Sequence, residues 1–263
     1  MNNITIILNV WKRNYLKEQL AHIVSQSMQP REIWIIQNES HINVRPVIKA
    51  VNTNIKIHHI HSSVNLKYFA RFSIANLVKT RYVWIVDDDI LPTRGWAEYA
   101  LSKSLEYNAV ICCSGRIIDK GDYRPEEIGP FSNKLMNFIG DVSEKTFCFC
   151  EKDQFVDYGI QSYFLRTEWL KAFWRLSPCT FDTGEDIHLA ASLQLGSQIK
   201  CIVPAQSEDT SGNIKIAYGR DDFASWKMND FINKRETVLK YLIDQQGWTP
   251  IRWQNRQDGQ QNR

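Results

Sequence analysis

The sequence predicts an α/β fold, a single domain whose mainly parallel central sheet is flanked by helices. Three observations predict it. Short apolar, β-branched runs alternate with amphipathic stretches from Ile4 to Cys113, the pattern of right-handed βαβ units. The chain has 263 residues, 43% hydrophobic and 23% charged, which is enough to bury one core and argues against disorder. Finally, an apolar strand runs straight into three acids in WIVDDDILP, residues 84 to 92. Parallel α/β sheets bind their ligands at the carboxyl ends of strands.

The elements follow in order. Ile4 to Val10 (ITIILNV) is a buried strand. Tyr15 to Met28 is a helix, with Leu16, Leu20, Ile23 and Val24 at helical spacing, and Pro30 breaks the chain after it. Ile33 to Ile36 and Lys56 to Ile60 are the second and third strands. Lys67 to Lys79 is a helix carrying Phe69, Phe72, Ala75 and Val78 on one side. Tyr82 to Asp87 is the fourth strand, Trp96 to Tyr107 a helix and Ala109 to Cys113 the fifth strand. Residues 115 to 153, rich in Gly, Pro, Lys and Asp, show no period and read as a functional loop or a partly disordered stretch. A strand at Gln161 to Arg166 and a helix at Glu168 to Trp174 come next. Thr183 can cap a helix from Glu185 to Leu195, with Asp186 three residues on as in a capping box. Ile199 to Val203 is a strand, and Glu208 to Arg220 a loop. Asp221 to Gln245 reads as one long amphipathic helix with Phe223, Trp226, Phe231, Val238 and Leu242 on its core stripe. The domain therefore spans residues 1–253, and 254–263 is a polar mobile tail.

Several function classes are disfavoured. A net charge of +3 without a Lys/Arg block does not favour nucleic acid. No run approaches a membrane span, and the N-terminus lacks the basic and apolar regions of a signal peptide. A cytoplasmic protein, with peripheral membrane association at most, is expected. The six cysteines lack paired C-x-x-C spacing and read as reduced, mostly buried thiols. His58, His59 and His61 have no neighbouring carboxylate to complete a metal site and read as a strand-edge cluster.

The aspartates carry the chemistry. Two carboxylates about 4 Å apart repel by roughly 4 kcal/mol at an effective dielectric of 20, so a proton or a cation must relieve them. If the backbone stays extended, Asp87 and Asp89 share a face and Asp88 points away. Hard oxygen ligands suit Mn²⁺ or Mg²⁺, which keeps positions open for phosphate oxygens. The other reading is a solvated acidic turn capping the helix at Trp96. In GEDIHL, a helical wheel places Asp186 at the edge of the apolar side and Glu185 with His188 and Ser192 on the polar side. Asp186 thus faces protein as a cap or a catalytic group, and Glu185 is solvated or supports its neighbours. Asp157, before a Gly in VDYGIQSYF, is an acceptor-side candidate.

These motifs resemble glycosyltransferases of the GT-A fold, and more narrowly the C-terminal catalytic domain of the exostosin-like family. ILNVWKR, IWIIQNE, NLKYFARF, VDDD, GEDIHL and the spacing from Trp226 to Arg235 follow in that family's order. The resemblance implies that Arg13, Asn38 and Arg71 contact the donor nucleotide, with Asp87 and Asp88 on the nucleotide side and Asp89 on the metal. It implies Arg235 at the diphosphate and the Glu185–Asp186 pair at the reacting sugar. It further implies a nucleotide-sugar donor, a UDP-sugar above all, a saccharide or lipid-linked saccharide acceptor, and retention of configuration. Inverting GT-A enzymes carry a similar acidic pair with the Asp as general base, so inversion is the nearest rival. A nucleotidyltransferase would need a Gly-rich loop after the first strand, where NVWKRN has no glycine. A non-catalytic sugar-nucleotide-binding domain remains a further alternative.

Overall fold

β1 (Ile4–Val10) is buried on both faces, with Ile6 and Leu8 pointing to one side of the sheet and Ile7 to the other. That double burial is what a near-continuous apolar run demands, and it places β1 inside a parallel sheet covered by helices on both faces. The structure is a computed structural model, and it describes residues 3–129, 132, 134, 136–139, 150–214 and 221–254. β2 (Glu32–Asn38) and β4 (Tyr82–Val86) flank β1 in parallel, and β3 (Lys56–Ser62) extends the sheet beyond β2. The order among the described residues is β3-β2-β1-β4-β8-β5-β9-β7, with β6 on β5. β8 (Tyr158–Arg166) enters antiparallel between β4 and β5 (Val110–Arg116). β9 (Cys201–Val203) runs parallel to β5, and the short β6 (Phe138–Ile139) and β7 (Gln154–Val156) finish the second half.

Helices cover both faces. α1 (Leu16–Val24), α2 (Val44–Ala50) and α4 (Trp96–Tyr107) pack over Ile6, Leu8, Ile35, Trp84 and Val86. α3 (Phe69–Ala75), α5 (Leu170–Phe173), α6 (Glu185–Ser197) and α7 (Phe231–Lys240) cover Ile7, Val83, Ile85 and Cys112. The alternation along β4, Val83 and Ile85 one way and Trp84 and Val86 the other, pins its register, because a slip of one residue would exchange the two cores.

Four expectations need correction. The long helix from Asp221 does not form: residues 221–230 are irregular, with a short 3-10 turn at Ser225–Lys227, and α7 begins at Phe231. Asp221 is drawn to an arginine of another element, and Asp230 adopts φ 66°, which no helix tolerates. Phe223 and Trp226 are therefore exposed rather than part of the core. Thr183 does not cap α6. The N-cap is Gly184, at φ 79°, and no side chain caps the helix. α2 was not legible because it has only seven residues and a proline at its third position, although Asn43 accepts a bond from the N–H of Arg45 as a cap should. Finally, the stretch read as an aperiodic loop contributes the end of β5, together with β6. Residue 254 ends the described chain, so the expected tail at 255–263 lies outside the described residues.

Candidate functional site

β4 stops at Val86 because the next backbone turns. The N–H of Asp87 makes a last bond to the carbonyl of Gln161 on β8, and Ile90 N–H closes a turn on the carbonyl of Asp87. The buried Gln19 of α1 staples that turn, donating to the carbonyls of Asp87 (2.7 Å) and Ile90 (3.0 Å). The extended-strand expectation for the three aspartates therefore fails. Asp88 and Asp89 share one partner, and Asp87 turns to another.

That shared partner is Arg13. The chain leaves β1 through Lys12 at φ 58°, a left-handed turn, and delivers Arg13 to the carboxyl end of the sheet. Its Nη1 meets Asp88 and, at 3.1 Å, Asp89, while its Nε donates to Asp221 at 2.7 Å. Arg71 of α3, only 3% exposed, lies between Asp87 and Glu185 and bonds both, the latter at 2.8 Å. The third arginine, Arg235 of α7, forks onto both oxygens of Asp186 at 2.9 and 2.8 Å. Its other edge donates to Glu126 at 2.7 Å through Nε. The three groups join through the chain at Asp87–Asp88 and at Glu185–Asp186.

Of the two helical-wheel expectations for Glu185, solvation fails and support of a neighbour, Arg71, fits. Glu185 is 6% exposed, because α6 is enclosed on all sides over its first nine residues and has no polar face. Gly184 makes this possible: a Cβ there would stand 3.0 Å from Val238 of α7, and φ 79° lets the chain enter the helix steeply. Asp186 is equally enclosed, and it forms no capping box with Thr183, although its Oδ1 accepts the first-turn N–H of Ile187 at 2.8 Å. Asp157 is fully buried, and its two oxygens accept the N–H groups of Ile118 and Ile251 at 2.6 Å each. It ties the chain after β5 to the C-terminal turn and offers no face to an acceptor. Asn38 is buried and accepts the N–H of Leu66 at 3.1 Å, which fixes the loop leading to α3. Against expectation His58 meets a carboxylate, Glu32, across the β2–β3 pair, while His59 and His61 bond Gln37 and Ser40. Cys112, Cys150 and Cys201 are buried free thiols, Cys113 is buried, Cys179 is exposed, and Cys148 lies outside the described residues.

Sequence reading missed two members of the network, Asp221 and Glu126. The first sat inside a stretch taken for a helix and the second in a stretch without period, so neither carried a local signal.

Carboxylates outnumber cations in this network. Asp87, Asp88, Asp89, Glu126, Glu185, Asp186 and Asp221 share the guanidinium groups of Arg13, Arg71 and Arg235. Burial pushes Asp88 up to about 6, against the pull of Arg13. Burial and the charge of Asp88 push Asp89 up to about 7, and burial with Asp186 beside it pushes Glu185 up to about 7. The folded chain thus holds protons that an unfolded carboxylate, ionising near pH 4, has lost. Stability must fall as pH rises through that window. The melting temperature is expected to drop by roughly 5 °C between pH 6.5 and 8, and a scanning-calorimetry series across that range checks it. A flat or rising curve would show these groups to be already neutralised.

Among the described residues no three His, Cys, Asp or Glu side chains converge as a ready metal cage. An ion of the Mg²⁺ type needs less, since one or two carboxylates and substrate phosphates suffice. Asp88 and Asp89, adjacent, hard and short of positive charge, fit that requirement.

A mixed sheet with a parallel half, acids at the tip of its central strand and a second acidic pair opening α6 define a GT-A fold. The family model described as Glycosyl transferase family 2 matches residues 4–159, and the chain belongs to that family. Among solved structures it is similar to TarS of S. aureus. The 1–349 fragment superposes with a TM-score of 0.51 at 15% identity over 80% of this chain, and the same fragment in complex with UDP gives the same values. A longer TarS structure also reaches 0.51, at 12% identity. This chain spans 59% of the fragment and 36% of the longer TarS chain, so the likeness is one of fold. A comparison with curated protein sequences returned no match. The exostosin-like likeness is narrower than these matches reach. Glu185, Asp186 and Arg235 lie beyond the residues the family model covers. Among the described residues no helix is long and apolar enough to cross a membrane.

Proposed function

We propose that the chain transfers a sugar from a UDP-sugar to a saccharide or lipid-linked saccharide, with Mn²⁺ or Mg²⁺ bound beside the donor. The charge imbalance at the carboxyl end of β4 carries this reading. A diphosphate adds negative charge to a site where seven carboxylates already share three guanidinium groups, so it is expected to arrive with a cation. Asp89, with Asp88 beside it, would hold that ion, which when bound neutralises the departing diphosphate. The choice of uridine is supported by the UDP complex of the TarS fragment.

The chain's own residues supply the rest. Arg13 is within reach of both the aspartates and open solvent, and its guanidinium group suits phosphate oxygens. Arg71 is enclosed between Asp87 and Glu185 and acts as their counter-ion. Asp186 is the base. Arg235 holds it by both oxygens, which fixes its orientation. The acceptor hydroxyl oxygen bonds to the anomeric carbon, and its proton passes to Asp186. The bond from that carbon to the diphosphate breaks, and the electron pair leaves with the diphosphate. One displacement of this kind inverts the configuration. Retention, which the exostosin-like resemblance implies, would instead make Asp186 a group that orients the acceptor. NMR of the product's anomeric carbon separates the two.

Calorimetry tests the donor site. UDP is expected to bind at least about tenfold tighter with Mn²⁺ than with EDTA, a difference of about 1.4 kcal/mol. Asp89→Ala should erase the gain while the protein stays folded. Equal affinity under both conditions would sink the metal assignment. A non-catalytic binding domain would bind UDP-sugars in the same assay and release no UDP with any acceptor.

A further inference from the structure

Arg235 has two carboxylate partners, and the second has no role in the chemistry above. Glu126 reaches it from a part of the chain with no regular structure. Oε1 of Glu126 accepts Arg235 Nε at 2.7 Å, stands 2.6 Å from Arg235 Nη2, and accepts the Tyr158 hydroxyl at 2.5 Å. All three side chains are buried or nearly so, and the rings of Tyr158 and Phe231 lie 5.5 and 5.3 Å from the guanidinium carbon. One edge of the guanidinium is thus locked on Glu126, and the other presents a fork to Asp186.

We propose that Glu126 is a positioning residue for the transfer reaction, holding Arg235 in plane and sharing its charge so that Asp186 can take the acceptor's proton. The inference rests on Asp186 as the base. The physical reason is a division of charge. A guanidinium serving one buried carboxylate stabilises it strongly and makes it a poor base, and one serving two stabilises each less. The groups facing Asp186 are few. Arg235 and Glu126 approach as described, and the N–H of Ile187 donates to Asp186 Oδ1 at 2.8 Å. Glu185 adjoins it on α6, with Arg71 behind, and Asp87 stands at the end of β4. Tyr158 and Tyr163 of β8 and Cys112 of β5 complete the surround, each held neutral by burial. Among the carboxylates of the described residues, Glu126 is the one that touches Arg235 besides Asp186 itself.

The test compares Glu126→Gln, Glu126→Asp and Asp186→Asn in the folded full chain, with UDP release measured against pH. Glu126→Gln keeps the shape and removes the charge. Its kcat is expected to fall about tenfold, and the acid limb of kcat to move to lower pH by at least half a unit. UDP affinity should stay within about twofold. Glu126→Asp keeps the charge, so its limb should stay with the parent's even if kcat falls. Should Glu126→Gln melt too low to assay, Glu126→Met, which also removes the charge at similar length, gives the same comparison. Superimposable profiles for parent and Glu126→Gln, with Asp186→Asn inactive, overturn this role alone. Near-normal turnover in Asp186→Asn overturns the base assignment, and this role with it.

Discussion

Asp186→Asn is expected to lower kcat by at least about a hundredfold, the scale of a positioned base, with UDP affinity almost unchanged. The amide keeps the volume and can still accept one bond from Arg235, so the loss should lie in the chemical step. Glu185→Gln is expected to be milder by about tenfold, or about 1.4 kcal/mol in barrier. Its side chain is bonded to Arg71 and set back behind Asp87, so its charge acts on the site through that arginine. Steady-state turnover of both variants with a true acceptor checks the order. Turnover of Asp186→Asn within about threefold of the parent would leave that residue as a counter-ion to Arg235.

Arg71→Leu should act on stability. Arg71 is the cation between the half-buried Asp87 and the enclosed Glu185, and its removal takes the nearest counter-ion from both. Breaking a buried pair by removing one partner costs about 3–5 kcal/mol. In a chain of this size that lowers the melting temperature by roughly 10 °C. The deficit should shrink below pH 6, because protonation removes the charges that Arg71 balanced. Thermal melts of parent and variant at pH 5.5 and 8 read both effects. A deficit that is equal at the two values would mean the loss is one of packing.

Much of the architecture could be read without coordinates, and the reason is periodicity. β1 was located to the residue, since a parallel strand buried on both faces must be apolar without interruption, and ITIILNV is nearly so. α4 was also located to the residue, and α1 and α3 as shorter versions of what their apolar spacing suggested. The aspartates at the end of β4 stood out for the same reason, because charge directly after a core strand breaks a pattern that packing would otherwise extend.

What the pattern could not carry was direction and partnership. Glu185 looked solvated because a helical wheel assumes one wet face, and α6 has none: β8, α5 and α7 enclose it. The three aspartates were assigned by strand alternation, but the backbone turns after Val86 and places Asp88 with Asp89 on Arg13. Asp157 resembled a ligand contact and proved to be a post for two backbone N–H groups. Glu126 and Asp221 had no local signal, since their partners are 109 and 208 residues away. Most of the sheet, α1, α3, α4 and the acidic strand end are legible in residue spacing, because hydrophobic burial is written locally, while α2 and the start of α7 are not. Which carboxylate meets which arginine was decided only by tertiary structure, because in a buried site that choice depends on the charges and volumes that distant segments bring together.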